Sequence, residues 1–60
     1  MLIMYRGLVL VPVKDGERWQ AQIFSGGRPM AATPPRDSEE QAMSEAKKFV
    51  DGLRHSRGSA

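Results

Sequence analysis

No cysteine occurs anywhere in these 60 residues, and that absence constrains the fold more than any motif present. Domains near this size bury only about 60% of the surface their unfolded chains expose, and their usual reinforcement is a disulfide or a thiolate-bound zinc. Neither is available here, so stability must come from one packed core or from a partner. Apolar residues make up 40% of the chain and charged residues 27%, which is a globular rather than a disordered balance. Length leaves room for one domain only. The expectation is a single domain over 1–54 and a disordered tail over 55–60.

The cleanest local pattern is Arg18 to Ser25, where Trp19, Ala21 and Ile23 fall on one face of a strand and Arg18, Gln20 and Gln22 on the other. Upstream, Met4 to Val13 is rich in β-branched and aliphatic residues and reads as one strand. Lys14-Asp15-Gly16-Glu17 joins the two as a tight turn, because aspartate and glycine tolerate positive φ. Ser25-Gly26-Gly27 is the next turn, and Arg28 to Thr33 forms a third, short strand. Pro29 cannot donate to a ladder, which confines that strand to an edge, and Pro34-Pro35 ends it.

A helix follows. Ser38 with Gln41, or Asp37 with Glu40, has the spacing of a capping box, and acids crowd the first turn where the helix dipole favours them. Ala42, Met43, Ala46, Phe49, Val50 and Leu53 then recur at three- and four-residue steps, forming one apolar stripe. The predicted fold is α+β: a three-stranded antiparallel sheet, β-β-β-α, with the C-terminal amphipathic helix laid across the Trp19 face.

The first strand breaks the alternation expected of a half-exposed sheet. With Tyr5, Val9, Val11 and Val13 toward the helix, Met4, Leu8, Leu10 and Pro12 point away, so both faces are apolar. Two readings remain open: scattered apolar side chains on an ordinary surface, or a second covered face supplied by another copy of the chain. The candidate interaction residues on that outer face are Leu8 and Leu10.

Enzymatic chemistry has little material. His55 is the only histidine and falls in the expected tail, where nothing holds it within the ~3 Å that general acid-base work needs. Glu39, Glu40 and Glu45 are explained by the dipole, and no oxygen-ligand set for a metal is in register. Ser25-Gly26-Gly27-Arg28 precedes no helix and lacks the spacing of a phosphate loop. The chain is therefore read as a non-enzyme with no cofactor, no metal and no small-molecule substrate. Its longest apolar run, Leu8 to Val13, is far short of the ~20 residues that span a bilayer, and the first residues lack the layout of a signal peptide. No membrane role is expected, and the expected location is cytoplasmic.

Charge is unevenly spread. Over 1–36, five basic residues oppose two acidic ones, whereas over 37–53 two oppose five, so a basic sheet half meets an acidic helix. Arg18, Gln20 and Gln22 on the open face, joined by Arg6 and Arg28, supply donors suited to phosphates and purine edges. The first functional reading is accordingly a small nucleic-acid-binding or regulatory accessory module using the sheet face opposite the helix. The second is a protein-interaction module, most simply a homodimer through the apolar outer face or the edge of strand one.

Tyr5-Arg6-Gly7, Trp19-x-Ala21-x-Ile23, Gly27-Arg28 and Asp37-Ser38-Glu39-Glu40-Gln41-Ala42 occur in an order that resembles the DNA-binding domain of plant ethylene-response factors. More loosely, the order is similar to the arm-binding domains of phage-type integrases. The resemblance implies three strands packed on a C-terminal helix, with the sheet entering the DNA major groove. It carries Arg6, Arg18 and Arg28 over as DNA contacts. The arginines of the family's first strand are replaced here by Leu8-Val9-Leu10-Val11-Pro12-Val13, and its Trp-Leu-Gly pattern by Pro29-Met30-Ala31-Ala32. The layout also resembles HicB-type antitoxins, which continue into further strands.

Overall fold

In the computed structural model the backbone is described for residues 2–58 and the side chains for residues 2–53. Strands β1 (Ile3–Tyr5), β2 (Leu8–Asp15), β3 (Arg18–Ser25) and β4 (Arg28–Ala32) form one antiparallel sheet in that order, and helix α1 (Glu39–Gly58) follows. The α+β class and the C-terminal helix agree with the sequence reading. The strand count does not, because the sheet has four strands rather than three.

The extra strand arises at Arg6-Gly7. Both residues have positive φ, 52° and 85°, the signature of a two-residue hairpin turn whose twist matches that of its strands. A left-handed arginine is uncommon, so Tyr5-Arg6-Gly7 reads as strand interior until the backbone is seen. The reversal sets Tyr5 opposite Leu8 and Ile3 opposite Leu10. Across the next ladder Leu10 faces Ile23 and Pro12 faces Ala21. Side chains directly opposite each other share a face. Leu8, Leu10 and Pro12 therefore point toward the helix, and Val9, Val11 and Val13 point away, the reverse of the expected phase.

Leu10 is completely buried and Leu8 is half-buried against the core, so the interaction face expected at these two residues is interior. The core joins Leu10, Ala21 and Ile23 of the sheet to Ala42, Met43, Ala46 and Val50 of α1. Trp19 packs half-buried at its margin, on the side expected from its phase with Ala21 and Ile23. Phe49, assigned to the same stripe, sits at its flank and is 42% exposed.

The helix start is held as the spacing predicts. Ser38 Oγ accepts from the Gln41 amide at 3.1 Å, and Gln41 Oε1 accepts from the Asp37 amide at 3.3 Å. The end differs from expectation. Backbone helix continues to Gly58, into the segment assigned to a tail, since no proline interrupts Leu53 to Gly58. Residues 59–60 lie outside the described residues.

After β4 the chain stays beside β3 despite Pro34-Pro35. The Thr33 amide donates to the Ala21 carbonyl at 2.9 Å, the Ala21 amide donates to Thr33 Oγ1 at 3.0 Å, and Trp19 and Arg36 exchange two backbone bonds of 2.8 Å. A hydroxyl thus stands in for a strand carbonyl where the double proline bends the ladder.

Each hairpin loop has two residues, and in such loops the flanking pair exchanges both backbone bonds. Tyr5–Leu8, Asp15–Arg18 and Ser25–Arg28 are those pairs. Counting by twos, the nitrogen of Pro12 faces away from β3, two residues past the last described β1 pairing at Leu10. That of Pro29 faces away from β3. Neither proline therefore removes a donor from a described ladder, and Pro29 removes one from an open edge.

Candidate interaction face

The sheet face away from α1 is built by register. Met4, Val9, Phe24 and Pro29 are successive cross-strand partners, making an apolar row through all four strands. A second row runs Val11, Gln22 and Ala32, and a third pairs Val13 with Gln20. Valines at three alternate positions of β2 give this face an apolar spine. Met4 is 69% exposed, while Val9, Val11, Val13 and Phe24 are partly shielded by one another. Among the described residues the charged side chains on the face are Asp15 and Arg18, register partners at one corner.

The residues proposed for nucleic acid do not assemble into one surface. Arg18, Gln20 and Gln22 line the outer side of β3 as expected, but the Gln20 amide donates to the Thr33 carbonyl at 3.1 Å. Arg28 pairs with Ser25, in the helix-facing series, at the tip of the β3–β4 hairpin. Seven residues of strand separate that end from Arg18, a span of about 23 Å. Arg6 lies on the helix side: its Nε is 2.7 Å from Asp51 Oδ1, and its guanidinium carbon is 5.5 Å from the centre of the Tyr5 ring. The positions carried over by the resemblance therefore occupy three separate places.

Arg6 belongs instead to a clasp between the β1–β2 hairpin and α1. The Tyr5 hydroxyl donates to both Asp51 oxygens at 3.0 Å, and Lys47 Nζ stands 5.7 Å from the Tyr5 ring centre on its cationic approach. Tyr5, and next the Asp51 carboxylate, raise the Arg6 pKa above its already high ordinary value. Arg6 thus stays cationic wherever the chain is folded. Sequence reading missed this group because Tyr5 and Asp51 stand at opposite ends of the chain and neither carries a motif.

Two concavities accompany the fold. An open groove of about 630 Å³ is bordered by Arg18, Arg36, Glu40, Glu45 and Lys48, and Arg36 is ion-paired with Glu45 inside it. Its mixed charges give no consistent field for an anion. A cleft of about 120 Å³ lies among Ile23, Ala31, Pro34 and Phe49 and has room for little more than one small side chain. No helix among the described residues is long and apolar enough to cross a membrane.

Together these features define a two-layer α+β protein with one face of its sheet uncovered. Comparison with protein-family models, with curated proteins and with solved structures gave no match for this chain.

Proposed function

We propose that this chain is a protein-interaction module that works through the outer face of its sheet. The observation that carries the reading is the uninterrupted row Met4, Val9, Phe24 and Pro29 joined to the Val11 and Val13 spine. Apolar side chains contiguous across four strands, with Gln22 beside Val11 near the centre and Gln20, Asp15 and Arg18 toward one end, form an apolar patch with a polar border of the kind docking surfaces show. A nucleic-acid reading draws less support, since only Arg18 of the three carried-over arginines lies beside this face. One cation beside an acidic register partner, Asp15, supplies little of the phosphate neutralisation on which such binding depends.

The test combines an environment-sensitive apolar dye with a nucleic-acid retention assay on dilute protein. The native chain is expected to light the dye, and the double substitution Val9→Thr with Phe24→Thr to abolish the signal while the circular dichroism is unchanged. Dye binding that survives the double substitution sinks the reading. So does salt-dependent retention of DNA or RNA that Arg18→Ala removes.

A further inference from the structure

The partner that best fits the face is a second copy of this chain, and we infer that two copies pack sheet on sheet through it. The inference rests on the interaction reading above and adds the identity and geometry of the occupant. Three observations converge on it.

The first is self-compatibility. A two-fold interface puts the same patch on both sides, so any net charge within it repels its own copy. Here Met4, Val9, Val11, Val13, Gln20, Gln22 and Phe24 are all uncharged, and the two charged residues at the corner, Asp15 and Arg18, are register partners of opposite sign. Elsewhere the chain is not so neutral: the first turn of α1 bears Glu39 and Glu40, and the groove beside it mixes six ionic side chains. Among the described residues, this neutral face is the surface that can meet its own copy without like-charge repulsion.

The second is the state of the edges. Pairing strand to strand is the alternative way for a small sheet to dimerise, and it needs free backbone donors along an open edge. Among the described residues β1 pairs with β2 as far as Leu10, and of the next two nitrogens on that side of β2, Pro12 has no N–H and Lys14 brings a charge. On the other margin Pro29 withholds its donor in the same way. Edge pairing loses a donor at each of these prolines, whereas the face offers its whole apolar row.

The third is area. Strands of three, eight, eight and five residues, at about 3.3 Å per residue and about 4.8 Å apart, present roughly 380 Å² on each copy. The pair then buries about 760 Å², below the roughly 1,000 Å² of stable specific interfaces and in the range of weak, transient ones. A reversible dimer follows, with sheets about 10 Å apart and the two-fold axis passing near Val11, the middle of the face.

The native chain has no cysteine, so a single introduced thiol reports one position cleanly. Sedimentation of the full chain is expected to show the mass rising from one copy to two between about 1 and 100 µM. Over the same range the thiol of Val11→Cys becomes several-fold slower to react with a maleimide. That of Ser44→Cys, exposed on the helix, keeps a constant rate. Phe24→Asp is expected to remain a single copy throughout. Should that variant fail to fold, the thiol comparison decides alone.

A dimer in which the Val11→Cys thiol reacts as fast when concentrated as when dilute overturns the proposal, since the copies then meet elsewhere. A single-copy mass at every concentration overturns it too. If the dye still reports the outer face in that case, the interaction reading stands and only self-pairing is lost. If the dye stays dark as well, both fall together.

Discussion

Thr33 is a buried polar residue in an otherwise apolar interior, and its exposure is 5%. Its position follows from the double proline: Pro34 and Pro35 cannot continue a ladder, so the Ala21 amide would face an interrupted strand. The Thr33 hydroxyl, 3.0 Å away, accepts that hydrogen bond instead. A buried donor stripped of its only acceptor costs about 1–3 kcal/mol, far more than the net value of an average hydrogen bond. Thr33→Val, nearly the same size and shape, is therefore expected to destabilise the chain by that amount, read as a lower urea midpoint with an unchanged slope. A midpoint equal to that of the native chain means that the proline bend is held by something other than this hydroxyl.

The elements differ in how far their residues disclose them. β3 was legible because Trp19, Ala21 and Ile23 alternate with polar neighbours, and α1 because its stripe and its Ser38–Gln41 cap agree. The β1–β2 hairpin was hidden, since one glycine beside an arginine is a faint turn signal inside a run of aliphatic residues. That single omission inverted the phase of all that followed it in β2, moving Leu8 and Leu10 from outside to inside. Gly7 and Gly52 should accordingly respond in opposite directions to alanine. Neither has an atom within 4 Å of the added carbon, so packing is not at issue. Gly7 has φ +85°, where a side chain costs about 1–2 kcal/mol. Gly52 is exposed in the helix, where alanine stabilises by about 0.5–1 kcal/mol. Thermal unfolding of the two variants checks both signs, and a Gly7→Ala chain as stable as the native one would remove the left-handed turn on which the sheet's phase depends.

At the scale of the molecule, three of the seven buried apolar side chains are alanines, which fill little volume. Such a core leaves a chain of this size marginal, and the second copy inferred above, if it docks on the outer face, adds to the stability that is measured. Above its dissociation constant, each tenfold rise in concentration adds about 0.7 kcal/mol per chain, which raises the melting temperature by about 3–5 °C for a domain this small. Calorimetry across two decades of concentration reads this directly. A melting temperature independent of concentration means that the folded chain has no copy of itself attached. The face was only half legible in the sequence. Residue types showed that one strand was apolar on both sides, but which side was covered depended on a turn that only the backbone reveals.

Pro12 and Pro29 have one more effect, and it concerns what happens when the chain is crowded. Sheets with bare margins recruit neighbour after neighbour and grow into fibres. Here Pro12 and Pro29 each remove a rung that a newcomer would need to grip, which hinders such growth at those two positions.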